Sequence, residues 1–145
     1  MPDWRVPEPP IVLAVYGTLR HGERNDRFLA GATFLGSGLV RGRLHEMPRS
    51  ELRAYAYPAL VLEGSEPVAV ELYGLQHAAK LATIDELEAF DPSDEAGSQY
   101  VRREVAVEGG PTRTAWVYVY HGPGDELGPV IADGDWVAHV GRSDV

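Results

Sequence analysis

Apolar positions along the 145-residue chain fall in short blocks, and most blocks carry the period of strands. Ile11-Val12-Leu13-Ala14-Val15 is a continuous apolar run, too short for a helix and stopped by Gly17, so 11–17 reads as a buried strand. Between 32 and 45, Phe34, Leu35, Leu39, Val40 and Leu44 are interrupted by Gly36, Gly38 and Gly42. That pattern predicts one long bent strand or two short ones, because glycine inside strands marks bulges and corners. Residues 57–62 read as a short strand with Pro58 at its start or edge, and Glu63-Gly64-Ser65-Glu66-Pro67 as a turn. From Val68 to Leu75 the alternation is regular, with Val68, Val70 and Leu72 on one face and Ala69, Glu71 and Tyr73 on the other. Segments 100–108 and 112–121 flank Gly109-Gly110-Pro111, which predicts a hairpin, and on its second arm Trp116, Tyr118 and Tyr120 share one face.

Only 77–89 shows a convincing helical period. Asn25 or Asp26 can cap a short helix to about Ala30, and another short helix is expected near 136–140. Residues 1–10, with Pro2, Pro7, Pro9 and Pro10, read as an extended lead-in that packs through Trp4. Residues 46–56 form a polar loop or lid, and 91–99 an acidic loop. No repeat or linker divides the chain, so one α+β domain over 11–145 follows the lead-in.

The 77–89 helix singles out a carboxylate. With Leu81 at zero and about 100° per residue, Ile84 falls near −60°, Asp85 near +40°, Glu88 near −20°, Ala78 near +60° and Glu86 near +140°. Glu88 therefore lies in the apolar stripe, Asp85 on its edge, and Glu86 toward solvent. A glutamate on a core-facing stripe is costly unless paired or neutralised, and burial raises its pKa toward the range of a general acid/base. A helix-end glutamate held by Arg102 or Arg103 is the structural alternative.

Charge narrows the partners. The net charge of −9 repels phosphate backbones and anionic membranes, so neither nucleic acid nor a membrane surface is expected as a partner. A local concavity of backbone N–H groups at Gly17 would still take a small anion. The chain has no cysteine, hence no disulfide, thiolate metal site or cysteine nucleophile, which fits a reducing cytoplasm. No apolar run reaches the length of a membrane span, and Met1-Pro2-Asp3-Trp4-Arg5 is unlike a secretory signal. His21, His45, His77, His121 and His139 lack metal-ligand spacing, no serine sits in Gly-x-Ser-x-Gly, and no phosphate-loop motif occurs. No metal or cofactor is expected. Exposed apolar residues near the termini would support a monomer or a weak homodimer.

Four short motifs occur in order: Tyr16-Gly17-Thr18-Leu19-Arg20 after the first strand, Asp85-x-x-Glu88 at a helix end, Tyr100-x-Arg102 on a strand, and Gly134-Asp135-Trp136 late in the chain. Together they resemble the γ-glutamylcyclotransferase-like (AIG2-like) family, over roughly residues 11–136. The resemblance implies a compact mixed β-barrel with a few helices packed outside, and the glycine-marked bends fit closure of such a sheet. It implies cyclisation of a small γ-glutamyl substrate: the α-amine attacks its own γ-carbonyl, 5-oxoproline forms, and the attached amine or amino acid leaves. It places the catalytic acid/base at Glu88, the residue that periodicity also selects. Backbone N–H groups of Gly17, Thr18 and Leu19 would bind the substrate carboxylate or the oxyanion, and Tyr16 would line the pocket and orient the γ-glutamyl head with its hydroxyl. Tyr100 or Tyr120 would supply a further hydroxyl. Arg20 stands either beside the carboxylate site or as a surface arginine.

One residue departs from the family pattern. Ala89 stands where glycine commonly follows the glutamate, and alanine tolerates helix better than positive φ, so the helix is expected to run slightly further. The competing reading is a non-enzymatic binding or interaction domain on the same fold. A solvent-facing Glu88 would favour it.

Overall fold

The structure, a computed structural model, describes residues 11–20, 26–48 and 56–143. The proline-rich lead-in with Trp4, the capping candidate Asn25, His21 and most of the 46–56 loop lie outside the described residues.

The continuous apolar run has a direct cause. Strand β1 (Ile11–Val15) is flanked on both sides, by β3 (Tyr57–Leu75) antiparallel and by β5 (Thr114–Tyr120) parallel. A central strand covered on both faces carries apolar residues at successive positions. Leu13 is fully buried, and Ile11, Ala14 and Val15 nearly so. With β2 (Thr33–Met47) and β4 (Tyr100–Ala106) the sheet order is β2-β3-β1-β5-β4. The expected hairpin is the β4–β5 pair, in register from Tyr100↔Tyr120 to Ala106↔Thr114.

The glycine-rich segment is one bent strand of 15 residues, with register shifts at Phe34/Gly36 and Gly42/Arg43. The turn expected at 63–67 does not divide its partner: β3 is a single strand of 19 residues. Pairing steps from Gly42↔Glu66 to Arg43↔Val61, so 62–65 loop out as a large bulge. Strand β2 remains paired on both sides of the interruption, which keeps β3 continuous.

The barrel expectation also needs correction. The sheet curls until its two edges meet, but they join at a single antiparallel bridge rather than a closed ladder. Leu39 and Glu108 exchange backbone hydrogen bonds of 2.9 and 2.8 Å. A forked Arg41–Glu108 ion pair (2.7 and 3.1 Å) lies across the same seam. Strand β4 ends at Ala106, and the backbone bridge to β2 is made beyond it, by Glu108.

Helix α1 (Ala78–Leu87) buries Leu81 and Ile84 against the sheet, and α2 (Trp136–Ser143) is anchored by buried Trp136. A 3₁₀ turn at Asp26–Leu29 occupies the place of the first short helix. Among the described residues no helix is long and apolar enough to cross a membrane.

Candidate active site

The chain leaves β1 through Tyr16-Gly17-Thr18-Leu19-Arg20, a turn closed by the Arg20 N–H on the Gly17 carbonyl at 3.0 Å. Gly17 is needed for space: a Cβ there would lie 2.3 Å from Pro58 Cγ. The partner is itself fixed, because the Tyr100 hydroxyl donates to the Pro58 carbonyl at 2.7 Å. The start of β3 thus forms the wall against which the turn closes.

Opposite this turn α1 ends. Glu88 is its C-cap (φ −85°, ψ 4°), half-buried, and Ala89 takes φ +56°. The Phe90 N–H reaches back to the Asp85 carbonyl (2.9 Å) and the Ala89 N–H to the Glu86 carbonyl (3.2 Å), the two bonds of a Schellman motif. The helix therefore stops at Leu87 rather than extending, and alanine accepts the left-handed position because the paired carbonyls fix it. A left-handed alanine is strained by about 1 kcal/mol relative to glycine. Ala89→Gly is expected to raise the melting temperature by about 3 °C, read by thermal denaturation. A lower melting temperature would show that no strain is held there.

Glu88 and the turn face one recess that opens to solvent. Its walls include Tyr16, Gly17, Thr18, Leu19, Tyr57, Pro58, Tyr100 and Tyr118. Three tyrosine hydroxyl protons on these walls are already committed. Tyr16 donates to the Tyr118 carbonyl (2.7 Å), Tyr100 to Pro58, and Tyr118 to Asp85 Oδ1 (2.6 Å). The Leu60 N–H also donates to the Tyr16 hydroxyl (3.3 Å). Tyr16 is thus a wall of the recess, with its proton directed into the fold.

The model of one protein family, γ-glutamyl cyclotransferase, AIG2-like, matches residues 13–138. The chain belongs to that family. It is 36% identical over 111 residues to a γ-L-glutamyl-butirosin B γ-glutamyl cyclotransferase from Niallia circulans, covering 75% of this chain and 66% of that relative. It is 35% identical over 127 residues to a putative γ-glutamylcyclotransferase from Vibrio cholerae, covering 87% of this chain and 95% of the relative. The solution structure of protein ytfP from Escherichia coli superposes with a TM-score of 0.60 at 29% identity, over 90% of this chain and 99% of that one.

Within this γ-glutamyl cyclotransferase-like fold, two residues singled out from sequence lie away from the recess walls. Tyr120 is on the same face as Tyr118 but further along β5, and its hydroxyl donates to the Pro123 carbonyl at 2.9 Å. It packs edge-on against Tyr100, with centroids 5.9 Å apart, and so backs the wall. Arg20 turns inward as a clamp. Its Nε meets Glu71 on β3 at 3.1 Å and its Nη1 meets Asp135 at 2.8 Å. Asp135 also caps α2, accepting from the Ala138 N–H at 3.2 Å. This links the first and last of the four sequence motifs: the arginine of one grips the aspartate of the other.

Tyr118, Tyr57 and the Asp85–Arg102 pair were not singled out for the site from sequence. The alternation Trp116, Tyr118, Tyr120 marked the right face but not the depth. Asp85 and Arg102 are 6% and 5% exposed and joined by bonds of 2.8 and 3.3 Å. Burial pushes the Asp85 carboxyl above its ordinary value, while the Tyr118 hydroxyl and the Arg102 guanidinium pull it down. Burial, followed by the Asp85 and Glu88 carboxylates, lifts the Tyr118 hydroxyl well above the usual tyrosine range, so it stays protonated and donating.

The described histidines are dispersed. His45 bonds the Gly128 carbonyl, His139 bonds Glu46, and His77 and His121 are exposed. Among the described residues no three His, Asp or Glu side chains gather as metal ligands.

Proposed function

We propose that this protein converts a γ-glutamyl amine or amino acid to 5-oxoproline and the free amine, with Glu88 as general acid/base. The observation that carries the reading is the placement of Glu88, half-buried, in one recess with the Gly17–Leu19 turn. A binding domain with a solvent-facing Glu88 would lack that placement.

Glu88 takes a proton from the substrate α-ammonium. The amine then attacks the γ-carbonyl of the same molecule, forming a C–N bond and a tetrahedral oxyanion. The α-nitrogen gives up two protons on its way to the lactam N–H: Glu88 passes one to the leaving nitrogen as the original γ-amide C–N bond breaks, and the second goes to solvent or leaves on the amine as its ammonium. Because nucleophile and electrophile are tethered, the enzyme has mainly to hold the chain folded and move the proton. With Tyr16, Tyr100 and Tyr118 donating into the protein, this reading gives the substrate carboxylate or the oxyanion to the backbone N–H groups of Gly17, Thr18 and Leu19. The tyrosine oxygens act as acceptors and suit the ammonium.

The test is a panel of γ-glutamyl amino acids, peptides and amines, each beside its α-N-acetyl counterpart, with products identified by mass spectrometry. Release of 5-oxoproline from free-amine substrates, and nothing from acetylated ones, is expected. Release of glutamate, or turnover of acetylated substrates, would replace cyclisation with hydrolysis.

A further inference from the structure

Asp85 sits one turn before Glu88 on α1, and residues three apart on a helix are neighbours. Its carboxylate is almost fully withdrawn from solvent and receives Arg102 from β4 and the Tyr118 hydroxyl from β5. Tyr118 is at once a wall of the recess and the only residue that both lines it with Glu88 and bonds Asp85 in the described structure. Phe90, just past the Schellman cap, covers the Arg102 guanidinium at 5.0 Å and meets Tyr118 edge-on at 6.4 Å. Two family motifs, Asp85-x-x-Glu88 and Tyr100-x-Arg102, are thereby joined by a buried ion pair. An ion pair of this kind is weak evidence for stability alone, since well-packed apolar residues often serve as well.

We propose that Asp85 and Arg102 are positioning residues for the reaction: through Tyr118 and the helix end they hold the Glu88 carboxylate at the turn, and their opposed charges balance the field in which it titrates. The proposal rests on the reading of Glu88 as acid/base. The charged and titratable groups around Glu88 can be taken element by element. The turn brings Tyr16, with Arg20 directed to Glu71 and Asp135; β3 brings Tyr57; β4 brings Tyr100 and Arg102; β5 brings Tyr118; α1 brings Asp85 and exposed Glu86. Among these, Asp85 and Arg102 are the buried opposite charges, so removing one leaves the other uncompensated beside Glu88.

Opposite substitutions then have opposite signs. Asp85→Asn leaves Arg102 uncompensated, favours the Glu88 carboxylate and lowers its titration midpoint. Arg102→Gln leaves Asp85 uncompensated and raises it. The double variant removes both charges and returns the midpoint toward the wild-type value. Shifts of at least about half a pH unit are expected for charges this close in a partly buried setting.

The midpoint is read by carbon NMR of the Glu88 side-chain carboxyl, assigned by its loss in Glu88→Gln, and in parallel from the acid limb of kcat/KM against pH. A purely structural pair would lower stability in both single variants without moving the midpoints in opposite directions, and that outcome would overturn the proposal. Breaking a buried pair is strongly destabilising, so a second measurement uses only wild type and Glu88→Gln. The Tyr118 ring signal should carry an inflection at the Glu88 midpoint in wild type and lose it in Glu88→Gln. Absence of that inflection would also overturn the proposal. The NMR titration reports on Glu88 whether or not it is catalytic. A Glu88→Gln protein that still releases 5-oxoproline therefore defeats the acid/base role alone.

Discussion

Glu88→Gln should lower kcat/KM for 5-oxoproline release by about 10²- to 10⁴-fold, the range of a positioned general acid/base. The amide keeps the size and hydrogen-bonding reach of the carboxylate but cannot accept the ammonium proton. In barrier terms the loss is roughly 3–5 kcal/mol at about 1.4 kcal/mol per decade. Stability should change by no more than about 0.5 kcal/mol, because Glu88 is half-buried at a helix end rather than in the core. That separation makes the experiment decisive: a folded protein with its melting temperature intact and its activity gone. The other two carboxylates of the helix are poorer candidates for different reasons. Asp85 is held by Arg102 and Tyr118, and Glu86 is exposed. Full activity in Glu88→Gln would return the assignment to those two.

Periodicity puts Glu88 in the middle of the apolar stripe, whereas in the structure it is a half-buried helix C-cap. The wheel asks only which residues would share a side of a continued helix. It cannot see that the helix stops at Leu87, nor that Ala89 adopts a left-handed conformation, because both depend on the carbonyls that Ala89 and Phe90 return to. It placed Asp85 at the edge of the stripe, whereas Asp85 is the most buried carboxylate of the helix. What draws it in is Arg102, on a strand 17 residues later. Local period carries no information about that partner.

The strands show the same division. Alternation located β4, β5 and the second half of β3, since each has one buried face. The bulge at 62–65 was read as a turn because Gly64, Ser65 and Pro67 are turn residues locally. Only pairing with β2 on both sides makes one strand of the two halves. Gly17 was legible as a glycine with a purpose, and its purpose, room for Pro58, lies 41 positions away (58 − 17). Sequence offers Tyr100 or Tyr120 for a further hydroxyl, and Tyr118 shares a face with Tyr120. The choice between them turns on which one α1 covers, and that is set by tertiary packing.

Arg20→Met is expected to lower stability by roughly 2–4 kcal/mol, since cutting one partner from a largely buried charge network leaves carboxylates without their counter-charge. The arginine touches two elements from a third. Glu71 lies on β3 directly opposite Val15 of β1, and Asp135 is at the head of α2. Methionine keeps much of the side-chain volume but none of the forked donors. At this chain length the loss corresponds to a melting temperature about 6–12 °C lower. Activity should fall through KM more than through kcat, because Arg20 ends the turn whose backbone is proposed to bind the substrate and does not itself line the recess. Arg20→Lys retains the charge but reaches one carboxylate at a time, so it should fall between wild type and Arg20→Met on both measures. Chemical denaturation and steady-state kinetics on the three proteins decide the matter. If Arg20→Met melts with wild type and binds substrate equally well, the clamp between the first and last motifs has no energetic weight, and the turn must be held by Gly17 and Pro58 alone.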